Sequence, residues 1–367
     1  FSQFYTWTLD NWDIISKWYA GLVKEQMQAD LELETFTKAL IQDKKTLEEK
    51  IKEIFYFVSQ KVRYVAVEIG PNTHQPHNAS EIYKKRYGDC KDKTTLLLTM
   101  LKIAGIKGYP VLVPSSEEII DESIPTIDVF NHVITVVPKE NGEYYWLDAT
   151  DEVASYDSVP FSRPLKVFII DENGKGKFFE TPPLKDDKDY SDSTSVYNID
   201  EDGNAELEYT YKYYGKTAEG PRYNFKYTSP EERKKYFEKR GIEIKELNIP
   251  SDFNNVDEPF VFSIKGNYRN LVQKIDDDTM VLSDVANIDS YKDLTTVKER
   301  KYPIRFWSSS ISKSKSVYNF PKGFKIKNIP KEYTRNDPYK KGFMKYESKE
   351  NSLEMNYETK SFEYKIP

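Results

Sequence analysis

Apolar residues recur at helical spacing through the first third of the chain and at alternating spacing afterwards. Trp12, Ile15, Trp18, Tyr19 and Leu22 fall three and four apart behind Asp10 and Asn11, either of which can cap a helix. A second helix is predicted from about Ala29 to Ile41. Thr46-Leu47-Glu48-Glu49 has the form of a capping box, and Ile51, Ile54, Phe55 and Val58 make an apolar face behind it. Arg63–Val67 reads as a short strand or extended segment, Ile69–Asn78 as a loop, and Ala79–Tyr87 as a short helix or turn ending at Gly88. After Cys90 the apolar positions Leu96, Leu97, Met100, Leu101, Ile103 and Ala104 cover too broad a face for a surface helix. The pattern predicts a helix buried on most sides, stopped by Gly105 and Gly108.

The period then changes. Tyr109–Val113, Val129–Val137, Glu143–Asp148 and Leu165–Ile170 read as strands, with Asn141-Gly142 as a hairpin turn. Pro114–Asp128 reads as an acidic, polar loop able to rim a cleft. Helices first and an antiparallel sheet second make an α+β pattern. Thr181–Thr194 combines paired prolines with a run of Lys and Asp and reads as a linker or surface crossover. Beyond it strands dominate, interrupted by one helix with Ser229 as N-cap, Pro230 at the first position and Glu232 at the third. The predicted organisation is a core over residues 1–180, a linker over 181–194, and a β-rich domain over 195–367, sandwich-like or comparable.

Composition narrows the function classes. A formal net charge of -6 gives no support for nucleic-acid binding. The single cysteine excludes an internal disulfide and a thiolate metal cluster. No run approaches 18 consecutive apolar residues, so no membrane insertion is expected. The chain opens on Phe1 rather than Met, Phe1–Leu9 reads as a partly aromatic strand or tail, and no signal peptide is visible. It therefore reads as a fragment or a processed chain. His74 and His77 flank Gln75-Pro76 with no third ligand nearby and read as surface or cleft-rim residues. Asp276-Asp277-Asp278 lacks the spacing of an EF-hand loop and reads as a solvated turn. With no phosphate-binding glycine loop and no zinc-protease motif, no cofactor and no metal are expected.

The candidate chemistry lies in three places. Cys90 follows Gly88-Asp89 at the start of the predicted buried helix. A thiol there faces backbone N–H groups and the positive end of the helix dipole, which favour the thiolate and can also hold an oxyanion. Asp89 is the expected N-cap, while a buried structural cysteine is the bland reading. His132 interrupts the β-rich run Val129–Val136, sharing a face with Ile134 and Val136 by alternation; alone it could be a satisfied core histidine. Asp148 ends the strand after the Asn141-Gly142 turn, and a hairpin through that turn brings it beside His132. An aspartate accepting from one imidazole nitrogen would leave the other facing the thiol, whereas the bland reading of Asp148 is a strand-end cap. The coincidence of the three favours a Cys90–His132–Asp148 catalytic site.

Tyr87-Gly88-Asp89-Cys90-Lys91-Asp92-Lys93, Phe130-Asn131-His132-Val133 and Trp146-Leu147-Asp148-Ala149-Thr150 also carry a family resemblance. Over roughly residues 10–175 the chain resembles the transglutaminase-like superfamily, a papain-like cysteine fold, and most of all its bacterial multidomain members with flanking β domains. Arg63-Tyr64 and the stretch around Pro76 resemble the same proteins. The resemblance implies Cys90 as nucleophile, His132 as base and Asp148 as the residue orienting it. Many such relatives carry a further β domain before the core and a secretion signal. A missing upstream domain and a periplasmic or extracellular location are therefore implied.

The chemistry implied is acyl transfer on a peptide, protein or amide-bearing cell-surface substrate. Water as the second nucleophile makes a protease or amidase, and a lysine amine makes a crosslinking enzyme. Gln60 and Tyr64 are candidate side chains for the oxyanion. The reading from another class is a non-catalytic module that keeps the fold to bind a peptide or glycan.

Overall fold

The computed structural model describes residues 10–66, 73–115, 120–250, 252–276, 278–282, 304–306, 309–362 and 364–366. The expected Phe1–Leu9 strand or tail, the loop start at 69–72, residues 116–119 of the acidic loop and Asp277 lie outside them. The chain divides into two compact units, Phe1–Pro183 and Leu184–Pro367.

The first unit opens with three helices, α1 (Trp12–Gln26), α2 (Leu31–Ile41) and α3 (Leu47–Lys61). Asn11, Asp30 and Thr46 cap them through side-chain oxygens, and Thr46 with Glu49 forms the reciprocal box that its sequence signals. A two-residue strand β1 (Arg63–Tyr64) follows. Helix α4 (Ala79–Lys85) ends at Arg86, whose φ of 58° is the left-handed conformation that turns the chain out of a helix. Strand β2 (Tyr87–Gly88) then pairs in parallel with β1, placing Tyr64 beside Gly88.

Helix α5 (Cys90–Ile103) is the pivot of the unit. Every residue from Cys90 to Leu101 is buried. Leu96, Leu97, Met100 and Leu101 pack against Ile51, Ile54, Phe55 and Val58 of α3. Cys90 and Leu98 share a second cluster with Tyr19 and Val23 of α1 and with Leu112, Val133 and Phe168 of the sheet. Polar residues survive in this buried helix because each finds an acceptor: Thr95 and Thr99 back-bond to the carbonyls of Lys91 and Thr95, and Thr94 reaches the Val133 carbonyl at 3.2 Å. The sheet is β3 (Tyr109–Val113), β4 (His132–Pro138), β5 (Tyr144–Leu147), β6 (Lys166–Ile170) and β7 (Gly176–Glu180), antiparallel throughout in the order β5-β4-β3-β6-β7. Val111, Val113, Ile134, Val136, Trp146 and Val167 form a separate apolar cluster on this sheet. The sequence places a strand start at Val129, whereas Ile127–Val129 is a 3-10 turn capped by Thr126.

The second unit is β-rich and sandwich-like. Ser191–Thr194, assigned by sequence to a linker or surface crossover, belong to strand β8 (Ser191–Ile199), because the backbone of that segment is paired on both sides, with β9 and β15. Strand β9 (Ala205–Tyr213) is followed by two helices, α6 (Lys216–Tyr227) and α7 (Pro230–Glu238), and then by β10 (Ile242–Asn248) and β11 (Phe260–Tyr268). Short pairs join β12 (Gln273–Lys274) to β13 (Met280–Val281), and β14 (Ile304–Phe306) to β19 (Tyr364–Ile366). The long strands β15 (Ser310–Asn319), β17 (Lys340–Lys349) and β18 (Ser352–Ser361), with the shorter β16 (Tyr333–Asn336), complete an eight-stranded sheet ordered β10-β11-β9-β8-β15-β18-β17-β16. Among the described residues of this sheet, β8 and β15 alone pair in parallel. Sequence anticipates α7 and its capping box but not α6, since Gly220-Pro221 reads as a breaker. Arg222 anchors α6 instead, donating at 2.6 Å to the carbonyls of both Asn255 and Glu258.

Candidate active site

Asp89 caps α5. Its Oδ1 accepts from the N–H groups of Lys91 and Asp92, while Asp92 reaches back to the Asp89 N–H, closing a capping box around Cys90. Lys91 Nζ donates to Asp89 Oδ2. Burial pushes the Asp89 carboxyl up, and Lys91 opposes it. Gly88 has no room for a side chain: a Cβ there would stand 2.6 Å from Asp92 Cβ. Cys90 is therefore the first residue of a helix whose start is held from both sides, at 7% exposure.

His132 is the first residue of β4, opposite Val113. Its ring lies close enough to Cys90 for that side chain to favour the imidazolium. Alternation groups His132 with Ile134 and Val136, yet those two belong to a different cluster from the one that holds Cys90. His132 Nε2 stands 2.9 Å from Asp148 Oδ2, directly after β5. A carboxylate only accepts, so Nε2 carries the proton donated to Asp148, and Nδ1 is left to the thiol. The other carboxylate oxygen, Oδ1, accepts from the Thr150 N–H at 3.0 Å and hydroxyl at 2.6 Å.

The electrostatics follow from this packing. Burial alone would lower the His132 imidazolium, but the Asp148 charge and hydrogen bond, with a smaller contribution from Cys90, raise it from 6.5 to about 10. Burial alone would raise Asp148, but His132 and the two Thr150 bonds bring it from 3.8 to about 2. The resting pair at neutral pH is an imidazolium and a carboxylate.

Three further residues belong to the site: Tyr19 and Thr150, without a role in the sequence reading, and Lys93, which the sequence reading takes as positive field beside Cys90. Tyr19 of α1 packs in the cluster that holds Cys90, and its hydroxyl is pushed up by burial and then by Cys90, Asp89 and Asp92. Lys93, 1% exposed, donates to the carbonyls of Ser59 at 3.1 Å and Val62 at 2.5 Å at the end of α3; burial pushes it down to about 8 against the pull of Asp148. Thr150 holds Asp148, a tie that an Asp-x-Thr turn signals. The two upstream histidines go separate ways. His74 meets Trp18 edge-on at 5.5 Å, while His77 binds Asp92. Among the described residues no group of three or more His, Cys, Asp or Glu side chains is arranged to hold a metal, and no helix is long and apolar enough to cross a membrane.

Comparison with known proteins places this geometry. No curated protein matches the chain. A crystal structure from Parabacteroides distasonis ATCC 8503, described as a "putative protease", shares the fold with a TM-score of 0.57 at 12% identity. The alignment covers 96% of this chain and 53% of that one, so this chain spans about half the length of the protein it matches. Residues 34–147, which include Cys90 and His132, match the model of the transglutaminase-like superfamily. The N-terminal part of the chain is thus a transglutaminase-like domain, with a cysteine beside a His–Asp pair suited to cysteine-dependent acyl chemistry, and further β-rich regions follow it.

Proposed function

We propose that the N-terminal unit hydrolyses a peptide or carboxamide bond through a Cys90 thioester. The observation that carries this reading is the His132 ring, 2.9 Å from Asp148 and close enough to Cys90 at the start of α5 for that side chain to favour its charged form. In the proposed reaction the Cys90 proton already rests on His132 Nδ1, and the thiolate sulfur attacks the carbonyl carbon. Asp148 holds that imidazolium without taking the proton. The N–H groups at the start of α5 face the developing oxyanion, with Gln60 or Tyr64, the latter paired with Gly88 in the β1–β2 register, as the proposed side-chain help. The imidazolium then protonates the departing amine. Water, deprotonated by His132, attacks the thioester and releases the acid and the thiol.

Water rather than an amine is the proposed second nucleophile, and a protein or peptide is the proposed substrate. The protease description of the structurally similar protein supports that choice. The test is incubation of the full chain with denatured proteins and glutamine-containing peptides, with and without a dansylated primary amine. The expected result is cleaved peptide or free carboxylate, absent in Cys90→Ser, with no dansyl label incorporated. Incorporated amine would replace hydrolysis by crosslinking. Tight peptide binding without turnover or a trapped thioester would replace catalysis by recognition.

A further inference from the structure

We infer that His77 is a positioning residue for the nucleophile, acting through Asp92 of the Cys90 helix; the inference rests on the acyl-transfer reading. Cys90 lies between the two members of the Asp89–Asp92 capping box, so the box fixes where the helix begins and where the sulfur points. His132 is anchored separately, in the sheet. Any slip of the box changes the distance between them.

The box is held from outside by one residue. Asp92 is 2% exposed. Its Oδ1 accepts from the His77 backbone N–H at 2.8 Å, and the His77 ring Nδ1 stands 3.1 Å from both Oδ1 and Oδ2. The Asp89 N–H completes the set at 3.3 Å from Oδ2. Backbone and ring of His77 thus grip the same carboxylate, 15 residues away in sequence. Gly88 packs so closely on Asp92 that a Cβ there would stand 2.6 Å from Asp92 Cβ and 3.0 Å from its Oδ2.

Charge adds a second reason. A thiolate at Cys90 would stand between two acids of its own helix turn, and both oppose it. Asp89 is matched by Lys91. Asp92 is held by the His77 backbone N–H and ring, the remaining ionisable groups around this cleft being Glu81 and Lys85 of α4 and Tyr87 of β2. Each acid of the box therefore has its own donor, and His77 is the one supplied by a distant loop.

The test is the rate of Cys90 alkylation by iodoacetamide as a function of pH, read by intact mass on the full chain. Wild type, His77→Ala, His77→Asn, Asp92→Asn and the double variant His77→Ala/Asp92→Asn are compared, with thermal melting as a check of folding. His77→Ala is expected to move the midpoint up by about one pH unit, a tenfold loss of rate below it. His77→Asn, which keeps a donor near the Nδ1 position, loses less. The double variant is expected to lose no more than Asp92→Asn alone, because the two residues act as a unit. Should His77→Ala fail to fold, the His77→Asn and Asp92→Asn midpoints decide. An unchanged midpoint in the folded His77 variants, or losses that simply multiply, would overturn the inference while leaving the Cys90–His132 mechanism standing. A wild-type thiol with no activation at all would remove the acyl-transfer reading and the His77 clamp with it.

Discussion

Replacing Asp148 by Asn removes one charge and little volume, and its effect can be worked out from the site. His132 is held at about 10 although burial of its ring favours the neutral form. The rise from 6.5 to about 10 corresponds to roughly 5 kcal/mol of preference for the imidazolium at 1.36 kcal/mol per pH unit. Asp148 is the larger source of that preference and Cys90 the smaller. With a neutral amide in its place, burial remains and its main opponent is gone, so the ring is expected to titrate below 6.5. An amide can also present its NH2 to Nε2, which would drive the proton to Nδ1 and leave the thiol without an acceptor. Alkylation of Cys90 at pH 7 should fall by about 100-fold or more, the usual scale for losing a positioned base. The assay is a pH titration of the imidazole resonances by NMR. The chain has only three histidines, so single substitutions at His74, His77 and His132 assign every signal. Wild type should show one ring titrating above pH 9, and Asp148→Asn should show none. A wild-type His132 ring titrating near 6.5, or one unmoved by Asp148→Asn, would show that Asp148 does not hold the imidazolium.

Other outcomes follow from the same geometry. Thr150→Val deletes the 2.6 Å hydroxyl bond to Asp148 Oδ1; the expected cost is about 1–2 kcal/mol in urea unfolding, with a downward shift of the His132 midpoint in the same titration. Gly88→Ala forces a methyl group to within 2.6 Å of Asp92 Cβ, so about 1–3 kcal/mol of overpacking and slower Cys90 alkylation are expected by denaturation and intact mass. The His132–Asp148 pair also makes stability depend on pH. The raised His132 contributes fully below 6.5, and that contribution is lost as pH rises through about 10. The lowered Asp148 contributes fully above 3.8, and that contribution is lost as pH falls through about 2. The stability difference between wild type and His132→Gln, measured by denaturant titration across pH, should therefore be largest between about pH 4 and 6.5 and shrink on either side.

The parts of the fold legible in sequence are those written in local spacing. Thr46 with Glu49 and Ser229 with Glu232 announce helix starts because both halves of each bond lie within one turn. The buried face of α5 is readable because apolar residues surround it, and the Asn141-Gly142 turn makes the meeting of His132 and Asp148 a matter of counting along a hairpin. What escapes is set by long-range packing. Nothing near Tyr19 says that α1 will lie against Cys90, and nothing near His77 says that its loop will close on Asp92. Helix α6 is hidden because Gly220-Pro221 argues locally against it, while Arg222 supplies the compensation from two distant carbonyls. The parallel β8–β15 pairing joins residues 121 positions apart, as between Ser191 and Ser312, and no local pattern specifies it.

The central claim is that Cys90 is a nucleophile activated by His132. Its most direct measurement is the pH dependence of Cys90 alkylation in wild type and His132→Ala. The wild-type thiol is expected to react readily well below pH 8, and the variant to lose that reactivity below the ordinary thiol range near 8.5. Equal profiles in the two proteins, both rising only near 8.5, would contradict it.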